Sequence, residues 1–290
     1  MPEGGGECLG WQEVQDYDAR RFCQCSSRES TFAEGVRTTT NVSQNVVHQY
    51  QILGDHSEFV GLIVPGGWEE FFRFIGEPYS GPMWPMKDDR NPFEVLIPKL
   101  KAATEKFDMV PVRDQAYFPP SEWQQDENKL PGAPEEYFLK NGTGPKYLVS
   151  GSVIRPLATT AESNGRFTIA SIEGSALHKG LFPSDQTIKF STVHHCFQVV
   201  EGAIDIQIGK DGVSRLNAGE LCYIPAATSF KFNYASRFAK AHVFSNGGGL
   251  METLIKLGKP YDVDIIPEKE ASWDVSELER LGSEFGYSMA

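Results

Sequence analysis

From residue 147 onward apolar and polar residues alternate in short runs separated by turn residues. The runs are Leu148–Ile154, Phe167–Ile172, Thr187–Thr192, His195–Val200, Ile204–Ile208, Ser214–Leu216, Leu221–Ile224, Phe230–Tyr234 and Ala239–Phe244. A period of two over four to seven residues is that of a strand with one buried face. Single tight-turn glycines such as Gly202 and Gly219 separate several of them. Many short strands of this kind, with little helix between them, predict a small antiparallel barrel or jelly roll. Beyond it the period lengthens: Leu250, Met251, Leu254, Ile255 and Leu257 fit one face of a helix packed on the barrel's outside. The acidic tail predicts a surface helix around Val275–Leu281.

The first half has a similar rhythm with fewer strands. Val46–Leu53 alternates, a polar turn follows at Gly54-Asp55-His56, and Phe59–Val64 returns, which together predict a hairpin. Pro65-Gly66-Gly67 stops the strand. Trp68, Phe71, Phe72 and Phe74-Ile75 then recur at helical spacing up to Gly76. Proline-rich residues 77–92 predict an ordered surface loop, and Phe93–Lys106 an amphipathic helix with Leu96, Leu100 and Ala103 on one stripe. Prolines 119, 120, 131 and 134 and intervening acidic residues mark 111–145 as a linker. The organisation expected is therefore a partial N-terminal barrel with helical addition over 1–110, a linker over 111–145, a complete barrel over 146–258 and an acidic tail over 259–290. Both halves run from a strand pair into a glycine-led apolar helix, an echo that an internal duplication explains.

Composition narrows the partners. A net charge of −12 opposes binding to a phosphate backbone, and no Lys/Arg run offsets it. No apolar run approaches the ~20 residues that span a bilayer. The start, Met1-Pro2-Glu3-Gly4-Gly5-Gly6-Glu7, lacks the basic and apolar regions of a signal peptide, so a cytoplasmic location is expected. Five cysteines without a metal-type CxxC fit reduced thiols. Cys23-Gln24-Cys25 has no partner pair downstream, and the sequons at Asn41 and Asn141 would matter only in a secreted chain.

Three stretches carry a family resemblance. They are Gly61-Leu62-Ile63-Val64-Pro65-Gly66-Gly67-Trp68-Glu69-Glu70-Phe71-Phe72, Asn141-Gly142-Thr143-Gly144-Pro145-Lys146-Tyr147-Leu148, and Cys196–Gly202 with Gly219–Pro225. With these the chain resembles the fungal quercetin 2,3-dioxygenases, two-barrel cupins, from about residue 41 to about 258. The resemblance implies an all-β fold with a few helices: two cupin jelly-roll barrels, the first incomplete. It implies ring cleavage of an aromatic or polyketide-like small molecule by dioxygen at a mononuclear metal, copper or iron, in the first barrel. The family's ligands there are a His-x-His pair, a glutamate and a later histidine. The last corresponds to His48, while residues 1–47 contain no histidine, so the other ligands have no counterpart here. In the second barrel the corresponding positions hold Ile188, Phe190, His195 and Phe230.

Two readings stay open. Strands preceding residue 48 that carried the other ligands are missing from this chain, or the protein lost its metal and kept its pocket. A barrel short of strands exposes sheet edges, which leaves room for a homodimer. Under the oxidative reading His48 binds the metal. Under the metal-free one a cupin holds a hydrophobic small molecule as carrier, cyclase or isomerase, with His195 as its sole polar and candidate catalytic group; an inactive paralogue is the third possibility. The pocket candidates are Tyr79, Trp84, His195, Phe197 and Phe230. Packing against a barrel is the plainer use of Trp68, Phe71, Phe72 and Phe74, while Tyr79 and Trp84, in the loop, are the better pocket candidates and His195 has a structural alternative. His194 and His195 are strand neighbours and point to opposite faces, so they cannot form a pair of ligands.

Overall fold

A computed structural model describes residues 62–63, 66–81, 88–107, 109–110, 128–140, 142–182, 186–210 and 212–289, with three short strands at 23–25, 38–41 and 50–52. The chain forms two compact units, residues 1–38 with 42–122, and 39–41 with 123–290.

In the first unit, β1 (Cys23–Cys25) and β3 (Tyr50–Ile52) pair in parallel. The helices are α1 (Glu69–Ile75), α2 (Pro92–Val95) and α3 (Ile97–Lys106). Where the pattern predicts one helix over 93–106, the structure breaks it at Leu96. Pro98 has no N–H to donate, and its ring would clash with the carbonyl four residues back, so the turn before it cannot continue. Leu96 is accordingly exposed, while Leu100 and Ala103 pack with Phe71 and Met109. The Asn91 side chain opens α2 by accepting a hydrogen bond from the Phe93 N–H at 3.0 Å.

The second unit holds the barrel. Its strands are β4 (Tyr137–Lys140), β5 (Tyr147–Val149), β6 (Ser152–Ala158), β7 (Phe167–Gly174), β8 (Ile188–Phe190), β9 (His195–Glu201), β10 (Ala203–Ile208), β11 (Val213–Asn217), β12 (Leu221–Ile224), β13 (Ser229–Tyr234), β14 (Ala239–Asn246), β15 (Lys259–Pro260) and β16 (Tyr287–Met289). One sheet runs β12-β9-β14-β7-β6-β5-β15, and the other β11-β10-β13-β8-β16. β2 (Thr38–Asn41) pairs with β4. The nine predicted strands coincide with β5 to β14, except that Leu148–Ile154 proves to be a hairpin, β5 and β6. Its turn needs Ser150 at positive φ. It also needs Gly151, where a Cβ would lie 2.2 Å from His178 Nδ1.

Alternation sets the faces. In β9, His195, Phe197 and Val199 turn inward while Cys196 and Gln198 turn out. The inward side chains of both sheets, among them Phe190, Phe197, Phe230, Phe232, Ile172, Ile204 and Ile206, form one core. α4 (Gly249–Leu257) adds Leu250, Met251 and Leu254 to that core, and α5 (Val275–Phe285) adds Leu278 and Leu281. The surface helix predicted around Val275–Leu281 is thus present as α5, seated on the core by Leu278 and Leu281. After α5, Gly286 takes the left-handed conformation and turns the chain back, so that β16 adds to β8 and buries Tyr287.

The outward face of the larger sheet is partly covered and carries a buried ionic cluster. Arg155 Nε and Lys240 Nζ reach the same Glu173 carboxylate oxygen at 2.9 and 3.0 Å. The Arg155 guanidinium also donates to the carbonyls of Gly142 and Asp264 at 3.1 and 2.7 Å, tying two loops to the sheet. With partners on every side, the buried charges are compensated.

Candidate functional site

The positions that the resemblance aligns with metal ligands come together at one end of the second barrel. β8 supplies Ile188 and Phe190, β9 supplies His195 and Phe197, and β13 supplies Phe230, all facing inward. The His195 ring centroid lies 4.7 Å from that of Phe190 and 5.3 Å from that of Phe230. Phe230 and Phe197 are 6.0 Å apart, edge to face. Three of the five pocket candidates, His195, Phe197 and Phe230, are thus neighbours.

His195 is 1% exposed, and its Nε2 accepts the backbone N–H of Leu250 at 3.0 Å. That bond requires an unprotonated Nε2, so the ring is neutral with its proton on Nδ1. Burial, reinforced by the neighbouring His194, pushes its pKa down to about 3. The reason for the bond lies in the local chain. Gly249 starts α4 at positive φ, directly beside the ring, and a Cβ there would lie 2.6 Å from Nε2. Leu250, in the first helical turn, has an N–H with no intrahelical carbonyl to reach, and the imidazole satisfies it. The ring serves α4 as a side-on cap.

This donor set does not fit a metal ion. One imidazole whose accessible lone pair is already used, surrounded by Ile188, Phe190 and Phe230, offers none of the convergent donors an ion needs. Among the described residues no group of three or more His, Cys, Asp or Glu side chains is placed to hold one. His48, the ligand candidate of the first half, lies outside the described residues, as does Trp84. Tyr79 belongs to the first unit and is 51% exposed, on the chain turn that Gly81 closes.

The remaining chemistry-bearing residues have structural occupations. His194 points outward. Its Nδ1 receives the Ala226 N–H at 3.2 Å and lies 2.6 Å from the Tyr223 hydroxyl. Cys196 and Cys222 are free and half-buried on opposite faces of the sheet, and burial raises both thiol pKa values. Sequence reasoning missed Tyr287, whose ring lies 5.0 Å from that of Phe190 and closes the cluster from the tail. Its hydroxyl donates to the Leu278 carbonyl, and burial pushes its pKa up to about 12. The available signal was the Phe285-Gly286-Tyr287 run, a helix stop followed by an aromatic residue.

No family model matches the chain. It is 28% identical over 256 residues to a quercetin 2,3-dioxygenase of Aspergillus japonicus, a match covering 80% of this chain and 70% of that one. A quercetin 2,3-dioxygenase of Bacillus subtilis is 34% identical over 62 residues, 21% of this chain and 18% of its own length. Among solved structures, a single-substitution variant of the Bacillus subtilis oxalate decarboxylase overlaps 38% of this chain and 29% of its own, with 13% identity and a TM-score of 0.30. The cupin domain of Schizosaccharomyces pombe Cnp3 overlaps 40% and 75%, with 10% identity and a TM-score of 0.29. The aligned relative extends over both units and two antiparallel sheets close on an apolar core in the second, so the chain is similar to the quercetin 2,3-dioxygenases in sequence and all-β in fold.

Proposed function

We propose that the protein is a cupin oxidoreductase of the dioxygenase type, acting on an aromatic or polyketide-like small molecule, with its chemistry in the first barrel around His48. The observation that carries this reading is the similarity to a fungal quercetin 2,3-dioxygenase over 256 residues, which takes in the first unit as well as the second. Supporting it, the second barrel has its one inward imidazole occupied by the Leu250 N–H and its other ligand-equivalent positions filled by Ile188, Phe190 and Phe230. Copper or iron is the metal this reading calls for, with His48 as the ligand that this chain supplies. No other donor is assigned.

The purified full chain, incubated with copper or iron and freed of excess, is tested for bound metal and for oxygen uptake with a panel of flavonols. The expected result is metal retention and uptake in the wild type. Both should be lost in His48→Ala with its melting transition intact, and both kept in His195→Gln. Absence of bound metal and of oxygen uptake would sink the proposal. Ligand binding abolished by His195→Gln alone would favour the metal-free carrier or isomerase in its place.

A further inference from the structure

Residues 128–140 lead into the second barrel and are fastened to it along their length. Tyr137 and Leu139 of β4 pack with Leu130 against Ala158 of β6 and against Phe167 and Ile169 of β7. The Tyr137 hydroxyl donates to the Leu157 carbonyl at 2.5 Å. Glu162, in the turn between β6 and β7, is 3% exposed. Its Oε2 accepts the N–H and the hydroxyl of Thr159 at 2.8 and 2.6 Å, which closes the turn on itself. Its Oε1 accepts the Gly132 N–H at 2.9 Å, thirty residues back in the incoming chain. Three donors satisfy the buried carboxylate, and its charge makes each bond stronger than a neutral one.

β4 in turn holds β2. The two strands pair, and Thr39–Asn41 belong to the second unit although residues 1–38 and 42–122 on either side belong to the first. β3, which begins at Tyr50, pairs with β1 inside the first unit. Residues 42–49, which include His48, therefore connect a strand held by the second unit to a strand held by the first. A connection fixed at both ends has far fewer conformations open to it than one fixed at a single end.

We infer that Glu162 is a positioning residue for the metal segment of the first barrel. By clamping residues 128–140 it fixes β4, and through β4 it fixes β2, one of the two anchors of the connection that bears His48. The mechanical link stands on the strand pairing and the clamp alone; its consequence for metal rests on the reading of His48 as a ligand. Groups that support a ligand without touching the ion change its affinity, because they decide how much order the ligand must still gain on binding. The second barrel, apolar at its own ligand-equivalent positions, thereby has a part in the chemistry assigned to the first.

Hydrogen–deuterium exchange of the full chain without added metal tests the link, in Glu162→Ala and in Tyr137→Phe. The second variant removes only the bond to Leu157 and leaves the β6–β7 turn intact, so it still answers if the first disturbs the barrel. The expected result is faster exchange in 128–140 and, together with it, in 38–41, while β9 in the barrel core exchanges as in wild type. Copper affinity should fall at least about tenfold in Glu162→Ala, the low end of what outer support contributes at metal sites. Loosening of 128–140 with 38–41 unchanged would overturn the link, and no loosening in either variant would overturn the clamp. Copper held equally by wild type and variants despite coupled exchange would overturn the positioning role. Coupled exchange in a wild type that holds no copper supports the link and removes only the dioxygenase reading.

Discussion

Two glycine-led helices, α1 in the first unit and α4 in the second, begin from similar sequence and end in different surroundings. α1 follows Pro65-Gly66-Gly67 and buries Phe71, while Phe72 is 47% exposed. α4 follows Gly247-Gly248 and buries Leu250, Met251, Thr253 and Leu254, with His195 on its first-turn N–H. Glu252 further ties it to the turn after β6, accepting the Thr160 N–H at 2.7 Å. The lesson is that an apolar periodicity states how much surface a helix could bury. What it does bury depends on the partner, and for α4 the partner is a continuous barrel core with a polar anchor at the helix start.

The largest test of that contrast is Leu254→Ala. The side chain is fully buried between α4 and the barrel, so its removal costs about 2–5 kcal/mol of unfolding free energy, transfer and cavity together. Denaturant titration of the second unit's transition reads it. A loss below about 1 kcal/mol would mean that α4 is dispensable to the barrel and that its likeness to α1 extends to energetics.

His195 gives a second, smaller effect with a distinctive pH dependence. Its folded pKa, about 3, lies below the ordinary histidine value near 6.5, so the unfolded chain binds a proton that the folded one refuses. Its stability contribution is complete above pH 6.5 and declines as pH falls toward 3. Each pH unit in that window removes ~1.4 kcal/mol, or about 2 kcal/mol between pH 6.5 and 5, where carboxylates barely titrate. His195→Leu should be less stable than wild type at pH 7, because the Leu250 N–H loses its acceptor. It should also lose less stability on going to pH 5. Parallel pH curves for the two proteins would show that the buried imidazole is not the acid-sensitive anchor of α4.

The sequence displayed the second barrel almost strand by strand because alternation survives wherever one face is buried, as from His195 to Val199. It did not display β16, since three residues after a helix carry too little periodicity, and only pairing with β8 makes them a strand. The hairpin within Leu148–Ile154 was hidden because Ser150, not a glycine, takes the positive φ. At the site, strand parity was enough to separate His194 from His195 and to group His195 with Phe197. The identity of the Nε2 partner was beyond sequence, because Leu250 lies 55 residues away and meets the ring only through the β9–β14 pairing and the tight turn at Gly249.

The smallest effect closes the comparison from the α1 side. Phe72 stands edge to face with Phe71 and Trp68 at 5.2 and 6.5 Å, so some aromatic contact would be lost on substitution. Its exposure means that little apolar area returns to water when it is shortened, and Phe71, stacked on Trp68 at 4.6 Å, remains to hold the helix. Phe72→Ser should therefore cost the first unit about 1 kcal/mol of unfolding free energy, the order of its aromatic contacts and less than Leu254→Ala. A loss as large as that of Leu254→Ala would show that the Phe72 side chain is covered in the working protein, and that α1 is as deeply seated as its counterpart.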